Sequence, residues 1–233
     1  MLLIVFSCAP GKDAEVSGVV ADLGSTPRID GVFEAGEWDD ANAVRLDSTK
    51  TLRLKHDGEY LHMALEGDGA TLYIVDGAKL SLLHASFSLG SAEYAGRDDS
   101  WRLVREYEWE LYGVQGRGED EVQDSIGAYL ERNGWVGSLM PMGNRYESEL
   151  SVAFSLLGIP QGVGPGETAK THIMFLSSCK NVPPAERTGS PADRRFRWPP
   201  NGAPCDSLDR GYTPETVHID RSAWAEITMR MED

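Results

Sequence analysis

A chain of 233 residues, 41% hydrophobic and 25% charged, has the composition of a folded globular protein and excludes a wholly disordered one. Its 37 acidic against 22 basic residues leave a formal net charge of −15, a field that repels nucleic-acid backbones and anionic lipid headgroups. Neutral ligands such as sugars, and hard cations such as calcium, stay compatible with that charge.

Residues 2–6 read Leu-Leu-Ile-Val-Phe and are followed by Ser7 and Cys8. Five apolar residues are too few to cross a bilayer, which takes about 20. The run into a small residue and a cysteine resembles the end of a bacterial lipoprotein signal, with Cys8 as the lipidated residue. That resemblance implies an extracytoplasmic protein, lipid-anchored to the cell envelope, whose membrane contact is the anchor alone; an ordinary N-terminal strand is the other reading. The expected layout is a signal segment over 1–8, a small and polar tether over 9–25, and one domain over 26–233.

From residue 51 the dominant hydrophobic period is two, the period of a strand. It runs through Thr51–Lys55, Tyr60–Leu65, Thr71–Val75, Lys79–Leu89, Trp101–Tyr112, Arg145–Phe154, Lys170–Ser177 and Ala223–Met231. In the second of these, Leu61, Met63 and Leu65 share one face and Tyr60, His62 and Ala64 the other. Asp57-Gly58, Asp76-Gly77 and Asn133-Gly134 punctuate the series as turns. About ten half-apolar strands predict an all-β, two-sheet antiparallel β-sandwich of jelly-roll type. Trp38, Ala41 and Val44 are spaced for about two helical turns, so a short capping helix is expected over Glu37–Val44. Cys179 and Cys205 flank a Pro-, Arg- and Gly-rich stretch; they are either a disulfide, which an oxidising compartment would preserve, or two unrelated thiols.

Pro27-Arg28-Ile29-Asp30-Gly31-Val32, then Gly36-Glu37-Trp38-Asp39-Asp40-Ala41, precede a strand and the pair Asp57-Gly58-Glu59-Tyr60-Leu61-His62-Met63-Ala64-Leu65-Glu66. This order resembles the opening of the family 9 carbohydrate-binding modules and their DOMON-like relatives. Tyr146-Glu147-Ser148-Glu149-Leu150 leading to Leu157-Gly158, Trp198-Pro199-Pro200, and Trp224-Ala225-Glu226-Ile227 resemble later parts of the same pattern. Thr71–Asp76 matches the family's charged strand after the hairpin only loosely. In residue terms, Ile29 enters the core, Asp30-Gly31 turns the chain and Trp38 plugs one end of the sandwich. The resemblance implies non-catalytic binding of an oligo- or polysaccharide by a monomeric module.

Sugar rings have apolar faces that stack on aromatic rings. Trp38, Trp109 and Trp224 are expected in the core, whereas Trp101, Trp135 and Trp198 follow turns or lie in a loop and are expected at the surface. Trp198 is the leading platform, because the resemblance implies a ligand-stacking tryptophan in a late loop; Asn201, Arg195 and Arg197 are its polar neighbours. Asp98 with Asp99, and Glu119-Asp120-Glu121, are acidic loop clusters that read as solvated turn residues; the resemblance implies structural calcium as the other reading, with Asp98 and Asp99 as its ligands.

Glu106, Glu108 and Glu110 alternate along one strand and read as a solvated face. No G-x-S-x-G or cysteine–histidine arrangement stands in the chain, which favours a binding protein over an enzyme. Two alternatives accompany this reading. One is a b-type haem electron-transfer module of the DOMON-like kind, with Met63, Met174, His62 and His172 as candidate ligands. The other is a ligand-free envelope assembly protein.

Overall fold

A computed structural model describes residues 19–45, 51–66, 70–85, 88–97, 100–111, 119–142, 145–160, 167–177, 197–198 and 224–231. Within them the chain folds as a β-sandwich with one α-helix. The elements are β1 (Val19–Leu23), β2 (Asn42–Arg45), β3 (Thr51–His56), β4 (Tyr60–Glu66), β5 (Ala70–Asp76), β6 (Lys79–Ala85), β7 (Ser88–Arg97) and β8 (Ser100–Leu111). After them come α1 (Glu119–Asn133), β9 (Trp135–Met142), β10 (Arg145–Ala153), β11 (Thr168–Ser177), β12 (Arg197–Trp198) and β13 (Ala225–Arg230).

Hydrogen bonding runs in the order β8-β7-β6-β5-β11-β13-β1-β3-β4-β10-β9, with β12 on β11 and β2 on β3. The path folds back on itself, so that β9 packs across the core on β6: an added Cβ at Gly137 would lie 2.7 Å from the Ala85 Cβ. β1 joins the two layers. It is parallel to both neighbours, pairing along Val19–Asp22 with β13 but with β3 only at Asp22↔Lys55 and Leu23↔His56. The other pairings of the two layers are antiparallel.

Alternation decides what each layer buries. Leu54, Met63 and Leu150 form one row across β3, β4 and β10 and enter the main core with Leu72, Leu83 and Ile227. Tyr73 and Leu82, one residue out of phase with Leu72 and Leu83, belong instead to a second apolar cluster with Tyr94, Trp101 and Trp224. β5 and β6 are therefore buried on both faces over Leu72–Ile74 and Leu80–Leu83.

Five expectations need correction. The tether expected over 9–25 overlaps β1, where Val19 and Ala21 are buried. The helix expected over Glu37–Val44 does not form. Gly36 takes a left-handed φ of 88°, successive turns run to Asp40, and Asn42–Arg45 pair with β3 as β2. Asn42 secures that edge by donating from Nδ2 to the Val20 carbonyl and to Asp22 Oδ2. The helix lies instead at α1, whose Val122, Ile126, Tyr129 and Leu130 pack on the core at the i, i+4, i+7, i+8 spacing of one helical face. Glu119, Asp120 and Glu121, read as an acidic loop, are its first turn, where negative charge meets the positive end of the helix. Asn133-Gly134 ends this helix rather than turning between strands: Gly134 has a φ of 70° and its N–H donates to the Leu130 carbonyl. The single run expected over Lys79–Leu89 is the end-to-end sequence of β6 and the start of β7.

Candidate functional site

The outer face of the β3–β4–β10 layer is polar and nonetheless buried. Lys55, His62 and Ser151 form a transverse row there and are 0%, 1% and 1% exposed, and Glu149 beside them is 0% exposed. Residues 24–41 lie over this face and supply its hydrogen-bond partners. Lys55 Nζ donates to the Glu37 carbonyl (2.6 Å), Asp40 Oδ1 (2.8 Å) and Ser25 Oγ (3.1 Å), and stands 5.0 Å over the Trp38 ring. Burial alone would raise the Asp40 pKa, but hydrogen bonds from Lys55 and Ser25 outweigh it and lower it to about 2.

Glu149 holds the same segment from the other side. Its Oε2 accepts from the N–H groups of Gly31 (2.7 Å) and Asp30 (3.1 Å), and its Oε1 from the Trp38 indole (2.9 Å). Burial pushes its pKa up to about 8 against the pull of these donors.

Next to them a chain of polar groups links three elements. His62 Nδ1 lies 2.7 Å from Ser151 Oγ, and its Nε2 lies 3.0 Å from Asp57 Oδ2. Burial would raise the Asp57 pKa, but contacts with His62 and the N–H groups of Glu59 and Tyr60 hold it well below the usual range. The composition is that of a hydrolytic triad. The burial is not: Ser151 and His62 are each 1% exposed, so the hydroxyl is out of reach of a substrate and the chain staples β4, β10 and the Asp57 turn together. Sequence reasoning missed this group because Ser151 lies 89 residues beyond His62, although Asp57 and His62 belong to one hairpin.

Among the described residues, an accessible concavity lies elsewhere. A cleft of about 190 Å³ opens between the β6–β7–β8 face and the C-terminal end of α1, smaller than the roughly 300–1,000 Å³ of drug-sized sites and suited to about one sugar ring. Its apolar walls include Leu83, Trp135 and Leu156, and its polar lining includes Glu93, Arg105, Arg132 and Asn133. Arg105 Nη2 (3.0 Å) and Lys79 Nζ (2.9 Å) both contact Glu93 Oε1. Asn133 donates from Nδ2 to the Tyr129 carbonyl. Tyr129 meets Trp135 edge-on at 5.6 Å and carries the Arg132 guanidinium over its face at 5.5 Å, so the Trp135–Tyr129 pair braces one wall.

Two expected platforms are corrected by this arrangement. Trp101 is 2% exposed within the second apolar cluster. Trp135 is 1% exposed; it contributes to the wall of the cleft without offering an open face. Both sit at strand starts whose alternation turns large rings inward. Trp198 and Arg197 form β12, in register with Phe175 and Leu176. The row Trp198↔Phe175↔Leu72↔Leu83 sets the Trp198 backbone three strand spacings, about 14 Å, from the Leu83 backbone at the cleft. Asn201, Arg195, Asp98, Asp99, Cys8, Cys179 and Cys205 lie outside the described residues. Of the candidate haem ligands, Met63 is core at 0% exposure and His62 has both ring nitrogens engaged; on β11 only the backbones of His172 and Met174 are described. Among the described residues no group of three metal-ligating side chains occurs, and no helix is long and apolar enough to cross a membrane.

No family model and no curated protein matches the chain by sequence. Among solved structures, a carbohydrate binding module family 9 from Caldicellulosiruptor kristjanssonii in complex with cellotriose is 11% identical, with 93% of this chain and 95% of that one covered and a TM-score of 0.43. A second structure of a family 9 module from the same organism, in complex with glucose, is 10% identical, with 93% and 97% covered and a TM-score of 0.46. Identity this low bears on the fold alone, and at these TM-scores the likeness says nothing of ligand or site.

Proposed function

We propose that the domain binds a saccharide without transforming it, one ring entering the cleft between β6–β8 and the end of α1. The observation that carries this reading is the composition of the cleft wall. Apolar surface from Leu83 and Leu156 adjoins a carboxylate, an amide and two guanidinium groups, the alternation that a sugar's apolar faces and hydroxyls require. Arg105 touches Glu93 through Nη2, and its remaining N–H groups suit ring hydroxyls.

Stacking on Trp198 is the second contact of this reading, its backbone on β12 lying about three strand spacings, or 14 Å, from that of Leu83. The Leu-Leu-Ile-Val-Phe-Ser-Cys start supports display of the module at the cell envelope through lipidated Cys8.

A glycan array probed with the full chain tests the reading, with and without a chelator to expose any calcium requirement at Asp98 and Asp99. The expected result is a bound glycan whose affinity falls about tenfold or more in Asn133→Ala and in Trp198→Ala, the loss of a hydrogen bond or a stacking ring at a recognition site. Absence of binding across the array refutes it. Retained affinity in both variants refutes the placement.

A further inference from the structure

The charge inside the cleft runs against the charge of the molecule. The chain carries a formal −15, yet the described ionisable side chains lining the cleft are two arginines and one glutamate. That glutamate is already shared, since Glu93 Oε1 accepts from both Arg105 and Lys79. Two cations thus share one carboxylate, and Arg132 is a further guanidinium of the described lining.

The two guanidinium groups come from opposite walls. Arg105 stands on β8 with its side chain 46% exposed, and Arg132 stands in the last turn of α1, exposed and placed over the Tyr129 ring. Each is oriented by a neighbour rather than left to wander, Arg105 by Glu93 and Arg132 by Tyr129. Guanidinium groups pair with carboxylates in a planar, two-bond geometry that an ammonium lacks. A neutral sugar makes little use of two guanidinium groups, whereas an anionic one gains from their charge and their directed N–H groups.

We infer that the saccharide taken by this cleft is acidic, a hexuronate whose carboxylate lies between Arg105 and Arg132 while Glu93 and Asn133 accept its hydroxyls. The inference rests on the saccharide reading above and narrows its ligand class. It also gives the described guanidinium pair a use in an acidic protein, whose surrounding negative field would otherwise turn such a ligand away. Tyr129 is a positioning residue in this scheme, acting through Arg132.

Calorimetric titration of the full chain with D-glucuronate and D-galacturonate, their neutral parents glucose and galactose, and a sulfated monosaccharide tests it. The uronates are expected to bind about tenfold more tightly than their parents, the worth of one charged hydrogen-bonded pair, and to lose that advantage as salt is raised. Arg105→Gln and Arg132→Gln are each expected to remove most of the preference, and Tyr129→Phe, which keeps the ring under Arg132, to retain more of it than Tyr129→Leu. Neutral sugars binding as well as the uronates overturn the inference and leave saccharide binding standing. Tighter binding of the sulfated sugar overturns the carboxylate assignment. No binding by any of them, on the array or in titration, overturns both.

Discussion

Lys55 shows how one residue gains its meaning from what lies above it. In the pattern Thr51-Leu52-Arg53-Leu54-Lys55-His56 it occupies an outward position, the usual place for a solvated lysine. Residues 24–41 cover that position, and the ammonium becomes the centre of three hydrogen bonds and a cation–π contact. Replacing it with methionine keeps most of the volume but leaves the Glu37 carbonyl and the Asp40 carboxylate without their donor. Lys55→Met is expected to lower stability by about 1–3 kcal/mol. Urea denaturation measures this as a lower midpoint at unchanged slope; an unchanged midpoint would show that the network contributes nothing. Glu149 has the mirrored role, an acid surrounded by N–H donors. Its partners, the Ile29-Asp30-Gly31 turn and Trp38, are the residues on which the family resemblance rests, so the signature in the sequence is a clasp on the sheet rather than a ligand site.

At the scale of elements, close approach of β9 to β6 sets the thickness of the sandwich. Gly137 has no room for a methyl group, which would meet the Ala85 Cβ at 2.7 Å and the Glu149 carbonyl oxygen at 3.1 Å. Gly137→Ala is expected to cost about 1–3 kcal/mol by overpacking. The glycine at 127 in α1 faces open space, and Gly127→Ala is expected to gain about 0.5–1 kcal/mol through helix propensity. Thermal melts of the two variants should therefore move in opposite directions, and melts that move together would contradict the packing described. The same elements mark where local reading stops. The α1 stripe of Val122, Ile126, Tyr129 and Leu130 was visible in the sequence at helical spacing, but the acidic start drew attention to loop chemistry. Over Glu37–Val44 the helical spacing of Trp38, Ala41 and Val44 was outweighed by pairing with β3.

Across the whole molecule, hydrogen-bonded ionisable groups pull stability in two directions with pH. Glu149 is raised from 4.5 to about 8, so the folded state holds its proton more tightly than the unfolded chain. Its contribution is full below about pH 4.5 and is lost as pH rises through about 8. Asp40, lowered from 3.8 to about 2, and Asp57, lowered further, act oppositely. Their contribution is present above the ordinary aspartate value and is lost as pH falls. His56 adds to the acid side: burial lowers its pKa, and its ring accepts from the Gly58 N–H at Nδ1 while Nε2 faces the Arg230 carbonyl at 2.8 Å, which places the proton on Nε2 of a neutral ring. Denaturation midpoints are expected to be highest in mildly acidic to neutral solution and to decline toward pH 9, with Glu149→Gln flattening the alkaline limb. A midpoint that rises steadily from pH 6 to 9 would contradict the protonated Glu149.

Sequence alone determined the strand-based architecture and the hairpins β3–β4 and β5–β6, because a period of two and an Asp-Gly turn are local properties that each short segment carries by itself. It also assigned Ile29, Trp38 and Trp224 to the interior, where they are 5%, 4% and 5% exposed. Only the tertiary structure decided which outward-facing polar residues would be covered, that Trp101 and Trp135 would be buried, and that Arg105 and Arg132 would meet across one cleft. The physical reason is distance along the chain. Alternation tells which way a side chain points, but what it meets there depends on segments dozens of residues away.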